Sequence, residues 1–213
     1  MAWLRNKHHD RDPLWHVQLV LLGVIILQLF LPARLIALPK FLLPALEVLC
    51  LAGLQFVTPK KAIFESSIRR LFVLALIALV VVANATSLQL LLQALFTAGK
   101  SDAPELLLSA VGIYVTNIII FALLYWEMDG GGPGVRRANK NDENDFLFPQ
   151  QQVNIKWYPT FTDYLYVATT NATAFSPADA SPLSRRAKMI MATQAFVSLV
   201  VVAIIAARAI NIL

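Results

Sequence analysis

Residues 71–96 read LFVLALIALVVVANATSLQLLLQALF, without one Asp, Glu, Lys, Arg or His. As an α-helix rising ~1.5 Å per residue, this stretch reaches about 39 Å. The hydrocarbon core of a bilayer is about 30 Å thick, so the helix is long enough to span it with tilt. A helix on the surface of a soluble domain keeps a polar face at a 3.6-residue period, and this one has none. Only helices and closed barrels satisfy their own backbone groups in lipid, so the run predicts an all-α membrane protein.

Four further runs lie outward from it. The first covers 14–31 and stops at Pro32. The second covers 41–57, entered by Pro39 and Pro44 and stopped by Pro59; it is short and contains Glu47. The fourth span in chain order covers 104–126, opening on Pro104, a favoured first-turn residue, and closing on Tyr125-Trp126. The last covers 187–213. About five transmembrane helices are therefore expected. Composition agrees: 58% of residues are hydrophobic and 15% charged, with a mean hydropathy of +0.64. A soluble domain is about a quarter charged. The net charge of +5 does not point to nucleic acid, because the basic residues sit in short loops between apolar runs. The expected partner is the lipid bilayer. Arg5, Lys7 and Arg11 precede the first run, and Leu29-Phe30-Leu31-Pro32 is a poor cleavage site, so a retained span is expected rather than a signal peptide. The single cysteine, Cys50, reads as a packing residue.

The extended polar stretch, 127–159, opens Glu127-Met128-Asp129-Gly130-Gly131-Gly132-Pro133-Gly134, a turn that a helix does not cross. Its charged middle, Arg136 to Asp145, reads as a mobile loop. An amphipathic piece, 161–173, follows; it is too short and polar to span and is expected as a short re-entrant helix before the last span. The chain divides into residues 1–100, three N-terminal transmembrane helices, and residues 101–213. The second part holds a helix, the polar loop 127–159, the re-entrant helix and loop 160–182, and the last helix.

The stretch from Asp163 runs D-Y-L-Y-V-A-T-T-N-A-T-A-F-S-P-A-D-A-S-P-L-S-R-R-A-K into a long apolar helix ending A-R-A-I-N-I-L. This order resembles the pore module of the potassium-channel superfamily: a short aromatic pore helix, T-x-x-T-V-G-Y-G-D, an S/T-P turn, basic residues and an apolar helix. Aligned on Asp179-Ala180-Ser181-Pro182, the family's T-V-G-Y-G-D falls on Ala174 to Asp179. Ser176 and Ala178 then replace the filter glycines and Pro177 the aromatic, so the resemblance implies a channel-like protein with a non-standard filter. It also implies a homotetramer, each copy closing a quarter of the pore, and a small inorganic ion as the permeant species. The implied lining is Thr169, Thr170, Asn171, Thr173, Phe175, Ser176 and Asp179. A second resemblance covers more of the chain. Tyr125 to Pro133, Asp145-Phe146-Leu147-Phe148-Pro149-Gln150 and Phe161 to Pro182 resemble a family of bacterial multi-span inner-membrane proteins to which no activity is attached.

Glu47 lies inside the second run. A carboxylate at the centre of a span costs about 2.5–3.5 kcal/mol on insertion scales, which makes Glu47 a candidate coupling carboxylate unless it sits shallow beside Pro44. Asn84, Thr116, Asn117 and Gln194 read as interhelical hydrogen-bonding groups. Glu127 and Asp129 read as a solvated pair at a membrane edge, or less often as hard oxygen ligands for a cation. His8, His9 and His16 have no metal-ligand spacing. The two sequons, Asn84-Ala85-Thr86 and Asn171-Ala172-Thr173, read as chance matches. No nucleophile–base constellation or phosphate-binding glycine loop is visible, so neither an enzyme nor a cofactor or metal is expected. The expected function is a pore-loop channel. The alternatives are a non-conducting membrane scaffold or accessory subunit, and a small proton-coupled transporter using Glu47.

Counting Lys and Arg orients the chain. With the N-terminus cytoplasmic, fourteen fall on inside segments and three, Arg34, Lys40 and Lys100, outside. This predicts a cytoplasmic N-terminus and an outside C-terminus, which the second resemblance implies is the periplasmic side of a bacterial inner membrane. It puts the pore-type loop on the cytoplasmic side, opposite to its place in potassium channels. Reporter fusions after Lys61, Lys140 and Leu213 should read cytoplasmic, cytoplasmic and periplasmic. A cytoplasmic signal at Leu213 would change the number of spans.

Overall fold

The computed structural model describes residues 15–36, 41–57, 67–97, 103–138, 144–153, 157–173 and 180–212. It is built from helices: α1 Trp15–Phe30, α2 Leu42–Val57, α3 Ser67–Thr97, α4 Ala103–Met128, α5 Pro133–Ala138, α6 Pro149–Val153, α7 Phe161–Ala172 and α8 Arg185–Ile212. Among the described residues there is one pair of two-residue strands, β1 Phe146–Leu147 and β2 Ser181–Pro182, antiparallel with Phe146 opposite Pro182. The fold is therefore all-α in substance, and the five apolar runs all form helices. Among the described residues three segments are long and apolar enough to cross a membrane: Arg70–Ala94, Pro104–Gly131 and Arg185–Ile210. α1 and α2, the helices of the first two apolar runs, are apolar and have 16 described residues each, shorter than these three.

α4 is the hub and packs against α8, α7, α3 and α1, while α2 lies against α3 and α1. Two apolar clusters divide its length. Near its start, Leu106, Ala110 and Ile113 meet Leu91 of α3 and Val201 and Ile204 of α8. Near its end, Tyr125 and Trp126 join an aromatic collar. There Tyr125 meets Phe146, Phe146 and Phe148 both meet Tyr164, and Trp126 stands edge-on to Phe161. Tilted and edge-to-face rings of this kind add about 0.5–1.5 kcal/mol per pair beyond burial.

The chain leaves α4 through three successive glycines, each at positive φ: Gly130 at 56°, Gly131 at 84° and Gly132 at 104°. Side-chain-bearing residues rarely adopt this region, which explains the run of Gly before Pro133. The turn delivers α5 back against the end of α4. Arg136 is thereby buried, and Asp145 with it. Neither belongs to a mobile loop, because both carry hydrogen bonds that hold the turn; residues 139–143, between them, lie outside the described residues.

α7 begins beside Asp129, bonded there through Tyr164, and reaches Gln194 of α8 through Asn171. β2 then brings the chain back to β1 at the α4-terminus end. Segment 146–182 thus leaves and re-enters the same end of the helix bundle, with α7 projecting about 18 Å along it.

A Cβ on Gly130 would stand 2.5 Å from Cγ of Arg136, whereas one on Gly23 would meet nothing within 4 Å. Gly130→Ala should therefore lower the thermal midpoint of the purified protein by several degrees. Gly23→Ala, in a helix interior, should leave it unchanged or raise it.

Candidate functional site

The site occupies the end of the bundle where α4 finishes and α8 starts. Asp129, the first residue of the glycine turn, is fully buried. Its Oδ1 accepts the backbone N–H groups of Asp145, at 2.6 Å, and Phe146, at 3.1 Å. Its Oδ2 accepts the hydroxyl of Tyr164 at 2.5 Å. Arg136 donates to the carbonyl oxygens of Trp126, at 2.8 Å, and Asp129, and its guanidinium lies over the Tyr164 ring, 5.2 Å from the centroid. It thus caps the last carbonyls of α4, where a cation also meets the negative end of the helix dipole. Burial holds the Tyr164 phenol well above its ordinary range, against the opposing pull of Arg136, so it stays a neutral donor.

A second carboxylate extends this cluster into a latch between the glycine turn and the start of α8. Asp145 receives Arg186 on both oxygens, Nε at 2.6 Å and a terminal nitrogen at 2.5 Å, and the Ser184 hydroxyl on Oδ1. The fork geometry is the strong, orienting form of this pair. Ser184 is also the N-cap of α8, accepting the Ala187 N–H at 3.1 Å. Glu127, fully buried, lies 4.0 Å from Arg70 at the start of α3. Three carboxylates, Glu127, Asp129 and Asp145, are thus matched by three guanidiniums, Arg70, Arg136 and Arg186. The solvated-pair reading of Glu127 and Asp129 is corrected here: both are buried, Glu127 facing Arg70 of α3, and Asp129 enclosed by the backbone at Asp145 and Phe146 and by Tyr164 of α7. Among the described residues no group of three His, Cys, Asp or Glu could hold a metal ion.

Deeper in the bundle lies a neutral polar network. Gln194 Oε1 accepts Tyr125 Oη at 2.5 Å and Asn171 Nδ2 at 2.8 Å, and Gln194 Nε2 donates to the Ala168 carbonyl at 2.8 Å. Asn171 also donates to the Met191 carbonyl at 2.9 Å. One amide therefore ties α4, α7 and α8 together. Farther along, Asn117 donates to Ser198 at 3.1 Å. Asn117 and Gln194 make the interhelical bonds expected of them; Asn84 and Thr116 are buried.

The expected lining residues divide. The Asn171 side chain is committed to α8. Thr169 and Thr173 are exposed and Thr170 partly so, each hydroxyl donating to a carbonyl one turn back in α7. Phe175, Ser176 and Asp179 lie outside the described residues, as do His8 and His9, and the side chains of His16 and Cys50 lie outside them too. Glu47 is buried between helices rather than at an edge, and accepts Nε2 of Gln28 at 2.9 Å. Sequence reading missed Tyr164, Asp145, Ser184 and Arg186 as one assembly. The glycine run beside Asp129 signals a tight turn, but not the partners that close over it.

Tyr164→Phe removes one donor from a buried carboxylate, a loss of about 1–3 kcal/mol. It should lower the thermal midpoint by several degrees, as should Asp145→Asn. Arg34→Ala breaks a pair with Glu105 whose side chains are 40% and 51% exposed, and should shift it by a degree or two at most. Comparison with family models, with curated proteins and with solved structures finds no match for this chain.

Proposed function

We propose that the protein is a cation-conducting pore-loop channel, assembled as a homotetramer around the outward face of α7. One observation carries this reading. Thr162, Tyr166, Thr169 and Thr173 are all exposed and fall at i, i+4, i+7 and i+11. They form one stripe of four hydroxyls along α7, opposite the buried Phe161, Tyr164, Val167, Ala168 and Ala172. Lipid-facing surfaces elsewhere are apolar: Leu71 and Val82 on α3, Met189, Phe196 and Leu199 on α8. A hydroxyl stripe on a half-length helix beside such surfaces suits water or a neighbouring copy better than acyl chains.

The sign of the ion follows from the same groups. Thr169 donates to the Leu165 carbonyl at 2.8 Å and Thr173 to the Thr169 carbonyl at 2.9 Å. A hydroxyl that has given its proton to its own helix presents only lone pairs outward. The C-terminal end of α7 adds its negative partial charge, and Asp179 adds a formal one to the chain that follows. Both favour a cation over an anion. In this reading α7 is a re-entrant helix, α4 and α8 are the outer and inner helices of the pore module, and the latch holds α7 at its angle. The charge count sets the latch on the cytoplasmic side of a bacterial inner membrane.

Flux assays on the purified chain in liposomes test the reading. Potassium or sodium should pass and chloride should not. Thr169→Val and Thr173→Val, which keep volume but remove an oxygen ligand, should each cut cation flux about tenfold, the equivalent of ~1.4 kcal/mol. No flux of any of the three ions from folded protein, or a monomer in detergent, would leave a non-conducting scaffold as the better account.

A further inference from the structure

Away from the latch and from α7, a buried carboxylate has no part in the proposed pathway. Glu47 stands in the middle of the α1–α2–α3 unit, 1% exposed. Its Oε1 accepts the Gln28 amide at 2.9 Å, and its Oε2 meets no hydrogen-bond partner among the described residues. We propose that Glu47 and Gln28 form a proton-binding site in which Glu47 is carried as the neutral acid.

The surroundings support this. α1 from Gln18 to Phe30 and α3 from Leu71 to Ala94 contain no acidic, basic, His, Tyr or Cys residue. The remaining titratable group on α2 is Cys50, three positions on. Arg34, in the turn after α1, is joined to Glu105 at 2.6 Å, and Arg70, at the start of α3, faces Glu127. Neither is directed at Glu47. Among the described residues Glu47 has one neutral donor and no cation, an arrangement that strongly disfavours a buried carboxylate. A neutral acid needs a donor on one oxygen only, the carbonyl, and keeps its proton on the other. One amide on Oε1 and none on Oε2 is that pattern. Loss of the proton leaves an uncompensated charge among three apolar helices, and the relief available is movement of α2 away from α1. Proton occupancy therefore sets how closely these two helices pack, whether or not the protein conducts.

Infrared spectra of the full chain in lipid vesicles read the site directly. In the difference between wild type and Glu47→Gln at neutral pH, a neutral carboxyl stretch should be lost, and it should shift in heavy water as an exchangeable acid does. Gln28→Leu, with Glu47 intact, should move that band to higher frequency, because the carbonyl oxygen loses its donor. A carboxylate stretch assigned to Glu47 at neutral pH overturns the proposal, as does an acid band that Gln28→Leu leaves unmoved. If Glu47→Gln does not assemble, the Gln28→Leu spectrum alone decides: a shifted acid band supports the site, and an unshifted or absent one overturns it.

Discussion

The carboxylate of Asp129 is the group around which this end of the protein is arranged. A buried charge is tolerated only when its lone pairs are filled, and removing one partner costs far more than an exposed pair is worth. Asp129 draws its donors from two places distant in sequence: the backbone at Asp145 and Phe146, and the hydroxyl of Tyr164. Each donor fixes a different element. The backbone donors set where the returning chain begins β1, and Tyr164 sets where α7 begins. Asp145, positioned by the same contact, then receives Arg186 and so fixes the start of α8.

A second, uncharged layer works by different chemistry. Gln194 is satisfied on both its oxygen and its nitrogen by groups from α4 and α7. Hydrogen bonds between membrane helices average well under 2 kcal/mol each, so their value here is chiefly geometric. α7 is held at two points, at Tyr164 near its start and at Asn171 near its end. Its buried face is thereby fixed against α4 and α8, and its rotation about its own axis is fixed too. The outward hydroxyl stripe is a direct result of that registration.

The helices were legible in the sequence because apolar runs and prolines act locally. Pro32 ends α1, Pro104 lies in the first turn of α4, and residues 161–173 contain α7 almost to the residue. The latch was only half legible. Three glycines before Pro133 mark a turn, but composition does not reveal that the turn folds inward over Asp129. That depends on Tyr164 and on Arg186, 35 and 57 positions later, and a single sequence carries no sign of such pairings. The same holds for Glu47. Its cost was readable from its place in an apolar run, but its partner Gln28 sits on another helix among residues with no distinguishing pattern.

The position of Gln194 also bears on how the chain is made. α4 leaves the ribosome first, then α7, and the amide that both of them use comes last. Until α8 has been synthesised, Tyr125 lacks the acceptor it has in the finished fold, and Asn171 lacks both the Gln194 oxygen and the Met191 carbonyl. Asn171 then keeps only its long contact with the Tyr125 hydroxyl, at 3.5 Å. The Tyr164–Asp129 bond and the packing of α7 on α4 need nothing from α8, whereas the end of α7 near Asn171 is fastened only once the last helix supplies its acceptors. Truncation before residue 194 removes more than one helix: it also leaves the far end of its neighbour unfastened.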